Sequence, residues 1–245
     1  ATTLGFASAT AMVNTLDAAT LAKILQYHVL PTAKTAAQIA GGGATQATLY
    51  TFEGAASTLS VSSTGGVKLT DEVLTQATVT TADVSASNGV IHVIDKVLVP
   101  PGVLDIVQMA KLNPTFSVLV EAVVAANLAN ALSGAGPLTV FAPTNDAFTA
   151  ALTELSLTKA QLLASPSLSG ILTYHVVNGN VRAADVVALP KPASVATLQG
   201  STFSVGTTLA ITDGRTRVAN LVATDVIASN GVIHVIDKVL LPPIN

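Results

Sequence analysis

Hydrophobic positions in the second half of this chain change period at His175. From Pro114 to Leu132, Phe116, Leu119, Val120, Val123, Val124 and Leu128 recur at helical spacing, which predicts an amphipathic helix. A shorter helix over Val103 to Lys111 is predicted ahead of it, ended by Asn113-Pro114 because the residue before a proline is pushed out of the helical region. Gly134-Ala-Gly-Pro137 breaks the pattern, and Leu138 to Ala142 reads as a buried strand. Pro143-Thr-Asn-Asp146 starts another helix, with Thr144 placed to accept from first-turn amides and Asp146 near the positive end. Leu155 to Leu163 and Leu168 to His175 supply further helical turns. Beyond them come β-branched runs at Val195–Leu198, Thr202–Val205, Leu209–Thr212, Val218–Asp225 and Val232–Val239. Turn signals at Gly200, Gly206, Asp213-Gly214 and Asn230-Gly231 separate these strands. Helices first and strands after, without regular alternation, predicts an α+β fold.

The pattern occurs twice. The fifteen residues Ser87 to Pro101 return as Ser229 to Pro243 with one change, Val99 against Leu241. Upstream, Leu25-Gln-Tyr-His-Val-Leu30 echoes Leu172-Thr-Tyr-His-Val-Val177. Two echoes in the same order describe a duplicated domain, and the period is far above the roughly 20–50 residues of a solenoid, so each copy should own its core. The expected domains are 1–101 and 102–245, joined through Val99-Pro-Pro-Gly102. His28 to His92 spans 64 positions and His175 to His234 spans 59, so the first copy carries five extra residues, expected around Gly41-Gly-Gly43. Nothing before Leu4 corresponds to Val103 through Asp146. The first domain is therefore expected to lack its N-terminal portion: two helices, a strand and the Phe-Ala-Pro turn. Either the chain is a truncated or processed fragment, or another molecule, a partner strand or a second copy, covers a sheet edge that would otherwise be exposed.

Composition narrows the function classes. Half of the 245 residues are hydrophobic, 10% are charged and 4% aromatic, enough for sizeable cores but few stacking platforms. A net charge of −3 without a Lys/Arg cluster argues against nucleic acid. No stretch approaches the roughly 20 apolar residues of a membrane span; Val118 to Leu132 is interrupted by Glu121, Asn127 and Asn130. Cysteine is absent, which removes disulfides and thiolate chemistry. No Asn-x-Ser/Thr sequon occurs, and the surplus of Thr and Ser over Lys and Glu is compatible with export.

At Leu138-Thr-Val-Phe-Ala-Pro-Thr-Asn-Asp-Ala-Phe148 the chain reaches a recognisable pattern. Together with the Tyr-His and Asn-Gly-Val-Ile-His-Val-Ile-Asp elements, it resembles the fasciclin (FAS1) domain. The resemblance covers nearly all of residues 103–243 and the later two-thirds of a domain in residues 1–101. It implies a helical layer on a wedge-like β sheet, tandem arrangement, an extracellular or cell-surface location, an adhesive role and no enzymatic activity.

All four histidines lie inside the repeated segments. Alternation puts Val90, His92 and Ile94 on one strand face and Ile91, Val93 and Asp95 on the other. His92 is expected half-buried, satisfying a backbone group or a neighbouring side chain, with a ligand or pH-sensing role as the alternative. Asn88-Gly89 and Asn230-Gly231 fit tight hairpins that need positive φ. Tyr27-His28 and Tyr174-His175 sit where helix gives way to strand, ringed in the first copy by Leu25, Val29 and Leu30, which favours packing. The family resemblance implies for the same pair either a core or an integrin-recognition role. Asp83-Val84 and Asp225-Val226 precede their Asn-Gly turns by five residues. There the resemblance implies integrin contact through an acidic-aliphatic pair, commonly Asp-Ile, from which Asp-Val departs; a solvated strand-end aspartate is the plainer reading. Tyr27, His28, Tyr174, His175, Asp83, Val84, Asp225 and Val226 are thus the candidate adhesion residues. No metal-ligand spacing, Gly-x-Ser-x-Gly elbow or phosphate loop is present, so no catalytic residue, metal or cofactor is expected.

These features predict a non-enzymatic extracellular adhesion module whose partner is a cell-surface or matrix protein or glycan, with tandem copies adding affinity through effective concentration. Two other readings stay open. One is a carrier of an apolar small molecule such as a carotenoid, which some algal relatives bind and which a mean hydropathy of +0.61 would suit. The other is a structural subunit of an extracellular assembly.

Overall fold

A computed structural model describes residues 16–244, together with Ser8 and Thr10. The chain divides into two compact units, residues 1–104 and 105–245, and both are α+β.

Ahead of the strands of unit 1 lie helices α1 (Ala18–Tyr27), capped by Asp17, and α2 (Ala36–Gly41), which starts on a Thr35/Gln38 capping box. Strands β1 (Thr45–Phe52), β2 (Ala55–Ser62), β3 (Lys68–Thr70), β4 (Gln76–Ala86) and β5 (Gly89–Ile94) follow. They form one antiparallel meander in chain order. Along β1, Gln46, Thr48 and Tyr50 are buried and the residues between them exposed, the two-residue period of a half-covered sheet. Tyr27, Tyr50, Leu59, Ala77 and Leu98 make the core, with the two tyrosine rings edge to face at 6.2 Å.

One expectation is corrected here. The extra residues of the first copy lie in the β1–β2 hairpin and not at Gly41-Gly-Gly43, which ends α2 and turns the chain at Gly43 (φ 101°). Eight residues separate Leu49, bonded to the Val29 carbonyl, from Thr58, bonded to the Tyr27 hydroxyl; three separate their counterparts Leu198 and Thr202. The start of the expected joining segment, Val99-Pro-Pro, is held by hydrogen bonds. The Val99 amide donates to Asp71 and the Pro101 carbonyl accepts from the Tyr50 hydroxyl, which fastens the segment to unit 1.

Unit 2 begins with helix α3 (Ile106–Leu112), a 3-10 turn at Pro114–Phe116, α4 (Ser117–Ala125) and α5 (Ala129–Leu132). The single helix predicted over Pro114 to Leu132 is broken because Asn127 adopts left-handed φ 55°, a conformation asparagine tolerates. Strand β6 (Leu138–Pro143) follows, then α6 (Asn145–Glu154), α7 (Lys159–Leu163), α8 (Leu168–Tyr174), β7 (Val176–Asn178) and α9 (Ala183–Ala188). Thr144 caps α6 as predicted. Ser156, at φ 54°, splits the run predicted from Leu155 to Leu163.

Strands β8 (Ala193–Ala196), β9 (Thr202–Val205), β10 (Ile211–Thr212) and β11 (Val218–Ala219) form one antiparallel sheet. A second sheet runs β12 (Leu221–Ala228), β13 (Gly231–Ile236), β6, β7, with β6 parallel to β13 and the other pairs antiparallel. The strand predicted over Val218 to Asp225 therefore divides at Asn220, whose backbone and side-chain N–H groups both donate to Asp237. Unit 1 keeps this stretch as the unbroken strand β4. Phe141, Tyr174, Phe203, Ile211 and Ile236 lead the core between helices and sheets.

Candidate functional site

Tyr27 and Tyr174 end their helices with rings turned into the core. The hydroxyls donate to the carbonyls of Thr58 at 3.0 Å and Thr202 at 2.8 Å, and burial raises the pKa of both phenols. His28 and His175 are the next residues and act as C-caps. Each Nδ1 faces the carbonyl four residues back, Ile24 at 2.7 Å and Ile171 at 2.8 Å. Each Nε2 accepts from a distant amide, Leu98 at 2.9 Å and Leu240 at 2.8 Å. An amide can only donate, so Nε2 is bare, Nδ1 carries the proton and the ring is neutral. Burial, aided by the Arg217 charge, pushes the pKa of His175 down to about 4, against the opposing pull of the Ile171 carbonyl and Asp213.

The second pair of histidines repeats the logic with the nitrogens exchanged. Asp83 and Asp225 sit inside β4 and β12 at bulges, with φ of 58° and 56°, rather than at strand ends. Their amides donate to Nδ1 of His92 and His234 at 3.3 Å. Each Nε2 then donates to a loop carbonyl, Lys34 at 2.8 Å and Val181 at 2.9 Å. The carboxylates accept from the first amides of α2 and α9, Ala36 at 2.8 Å and Ala183 at 2.9 Å. One bulge thus locks a helix start to a hairpin in each unit. The sequence signal was available: Asp precedes His by nine residues in both copies.

A third repeated element was missed. Asp213 is a buried carboxylate that accepts from the amides of Arg215, Arg217 and Leu241 and pairs with the Arg217 guanidinium at 2.9 Å. Its counterpart Asp71 holds Val99 and Thr75; burial raises its pKa against the opposing hydrogen bonds from those two residues.

Of the candidate adhesion residues, Tyr27, Tyr174, His175 and Val226 are buried and His28 and Asp225 half-buried. Asp83 and Val84 are exposed, Val84 at 41% against 6% for Val226. As alternation predicted, Val90, His92 and Ile94 are half-buried and Ile91 and Val93 exposed; β13 is buried on both faces. Among the described residues no group of three or more His, Asp and Glu could hold a metal ion, and no helix is long and apolar enough to cross a membrane. The apolar cavities at Phe141/Val186 and Ala110/Val123 in unit 2 measure about 20 and 30 Å³, far below the roughly 300 Å³ of a small-molecule pocket.

The Asn-Gly elements work differently from the turn role expected. The hairpin loops are Ser87-Asn88 and Ser229-Asn230, and the glycines open the following strands, Gly89 opposite Ala86 and Gly231 opposite Ala228. Gly231 is required by close approach: a Cβ there would lie 1.9 Å from the Leu138 carbonyl oxygen. Asn230 accepts from the Ile106 amide and donates to the Leu132 and Gly134 carbonyls, pinning the start of α3 and the end of α5. Asn230→Ala is expected to cost unit 2 about 2 kcal/mol in urea unfolding, from three lost bonds partly replaced by water. An effect under about 0.5 kcal/mol would contradict that role.

A family profile for the Fasciclin domain matches residues 5–100 and 114–242. Protein sll1483 of Synechocystis is 48% identical over 146 residues, 57% of this chain and 74% of that protein. Transforming growth factor-beta-induced protein ig-h3 of Sus scrofa is 37% identical over 164 residues, 66% of this chain but 22% of the larger relative. Among solved structures, the FAS1 domain pair of the insect cell adhesion molecule fasciclin I aligns with a TM-score of 0.56 over 89% of this chain and 79% of that one, at 21% identity. With a match in each unit, and with the repeated Tyr-His and Asp-His ties holding both, the chain belongs to the Fasciclin domain family.

Proposed function

We propose that this chain is a non-enzymatic adhesion module of the extracellular space or cell surface, holding a surface or matrix protein or glycan by non-covalent contact. It rests on one observation: all four imidazoles use both ring nitrogens on backbone groups, while Asp83 and Val84 of unit 1 remain exposed. A catalytic histidine needs a ring nitrogen free to exchange a proton with substrate. Membership of the Fasciclin domain family, and a fold shared with a domain pair from a cell adhesion molecule, support the same reading.

Val84 beside the Asp83 carboxylate is the proposed contact, an aliphatic side chain next to a charge. Unit 2 buries Val226, so unit 1 carries the larger share of recognition. Surfaces coated with the full chain are expected to retain cells or matrix, and Val84→Ser to weaken retention about tenfold, the loss of one well-buried aliphatic contact. Retention no better than on an albumin-coated surface would refute adhesion. Unchanged retention by the Val84→Ser chain would refute this contact alone.

A further inference from the structure

His92 stands between the Asp83 bulge and the loop that leads into α2, and its two nitrogens are used in opposite senses. Nε2 donates to the Lys34 carbonyl at 2.8 Å, so in the neutral ring Nδ1 is bare and accepts from the Asp83 amide at 3.3 Å. That amide belongs to a residue held at φ 58°, a backbone state that carries a cost. The Asp83 carboxylate meanwhile faces two donors. Its Oδ1 accepts from the Ala36 amide at 2.8 Å, at the start of α2, and lies 4.0 Å from His92 Nδ1.

Protonation reverses this arrangement. A proton on Nδ1 points at the Asp83 N–H, donor against donor, and the bond that holds the bulge is lost. An acceptor of opposite charge already stands within ion-pair range, the Asp83 carboxylate. The other charged and titratable groups around the ring, among the described residues, are engaged elsewhere. Lys34 turns its carbonyl to Nε2 and its ammonium to the Gln46 side chain at 2.5 Å. His28, on the same side of the sheet, has its nitrogens against Ile24 and Leu98. Asp95 leaves β5 on the opposite face and accepts from the Thr78 amide at 2.7 Å. Helix α2, Ala-Ala-Gln-Ile-Ala-Gly, carries no charged side chain. The second copy is shielded: His234 is buried, whereas His92 is half-buried and within reach of solvent protons.

We infer that His92 is an acid-operated switch on the adhesive contact of unit 1. On protonation the imidazolium draws the Asp83 carboxylate away from the Ala36 amide, neutralises its charge and releases the bulge that presents Val84. The consequence for attachment rests on the adhesion reading; the movement of the carboxylate does not. Val84 adjoins Asp83 and pairs across the hairpin with Ile91, the neighbour of His92, so one proton reaches both halves of the contact. Attachment is strong where the ring is neutral and weakens as the ring charges.

The test uses the full chain, isotopically labelled, between about pH 8 and 5, the range in which imidazoles change charge. The Ala36 amide resonance is expected to move along the same curve as the His92 ring. Its hydrogen exchange, corrected for the intrinsic effect of pH, is expected to quicken about tenfold as the carboxylate leaves. In a His92→Gln chain the side-chain oxygen accepts from Asp83 and the side-chain amide donates to Lys34, so both bonds persist without a titrating group and the Ala36 resonance stays still. Surfaces coated with the parent chain are expected to retain fixed cells about fivefold less at the acid end than at the alkaline end. On the His92→Gln chain retention is expected to be equal at both, and acid effects on unit 2, common to both chains, cancel in the comparison. Three results would each overturn the inference: an Ala36 curve that departs from that of the ring, the same curve in the His92→Gln chain, or equal retention by the parent at both ends. Retention at neither end would refute adhesion, and the amide curves, which need no attachment, then decide the movement alone.

Discussion

Gly231→Ala is expected to destabilise unit 2 by about 3 kcal/mol or more, whereas Gly89→Ala leaves unit 1 unchanged or stabilises it by up to about 1 kcal/mol. The two glycines occupy the same place in a nearly identical fifteen-residue segment. At Gly231 the added methyl meets backbone, the Leu138 carbonyl at 1.9 Å, which no rotamer change relieves. Moving β6 away would break pairing with β13 on one side and β7 on the other. At Gly89 the methyl meets open space, and alanine restricts the unfolded chain more than glycine does. Urea unfolding followed by hydrogen exchange, resolved unit by unit, reads both substitutions. Equal costs in the two units would contradict the asymmetry.

The second large effect is a loss of stability in mild acid. The pKa of His175 is about 4 in the folded chain against 6.5 for the free side chain. Above pH 6.5 the ring is neutral in both states and contributes no slope. As pH falls from 6.5 to about 4 the unfolded chain binds the proton first, so unit 2 loses stability through this window, by about 3 kcal/mol in all. His175→Leu is expected to cost about 2–4 kcal/mol at pH 7, because it strands the buried Leu240 amide and removes the partner of the Ile171 carbonyl. It is also expected to flatten the curve between pH 6.5 and 4. Unfolding free energies of parent and variant across that range separate the histidine from carboxylates common to both. Parallel curves would show that the ring titrates normally.

The class of fold and the duplication were legible because long amphipathic runs and exact echoes leave many positions in agreement. Short elements were not. Strand β7 has three residues and α9 six, too few to display a period, and Asn127, Ser156 and Asn220 interrupt runs whose apolar pattern continues past them. Among the candidate residues, the buried position of Tyr27 and Tyr174 followed from their apolar neighbours. The bulges at Asp83 and Asp225 did not, because they depend on a cross-strand imidazole. The different fates of Val84 and Val226 could not be read locally at all. Closely similar surroundings in sequence, Ala82-Asp-Val-Ser85 against Thr224-Asp-Val-Ile227, give opposite exposure, because burial depends on what packs over the strand and not on its own residues.

The chain leaves each unit through two amides held by side chains: Leu98 and Val99 on His28 and Asp71, Leu240 and Leu241 on His175 and Asp213. Tension arriving from beyond Leu241 therefore loads an imidazole and a carboxylate before it reaches any strand. Acid that charges the His175 ring slackens unit 2 at the very point where traction enters.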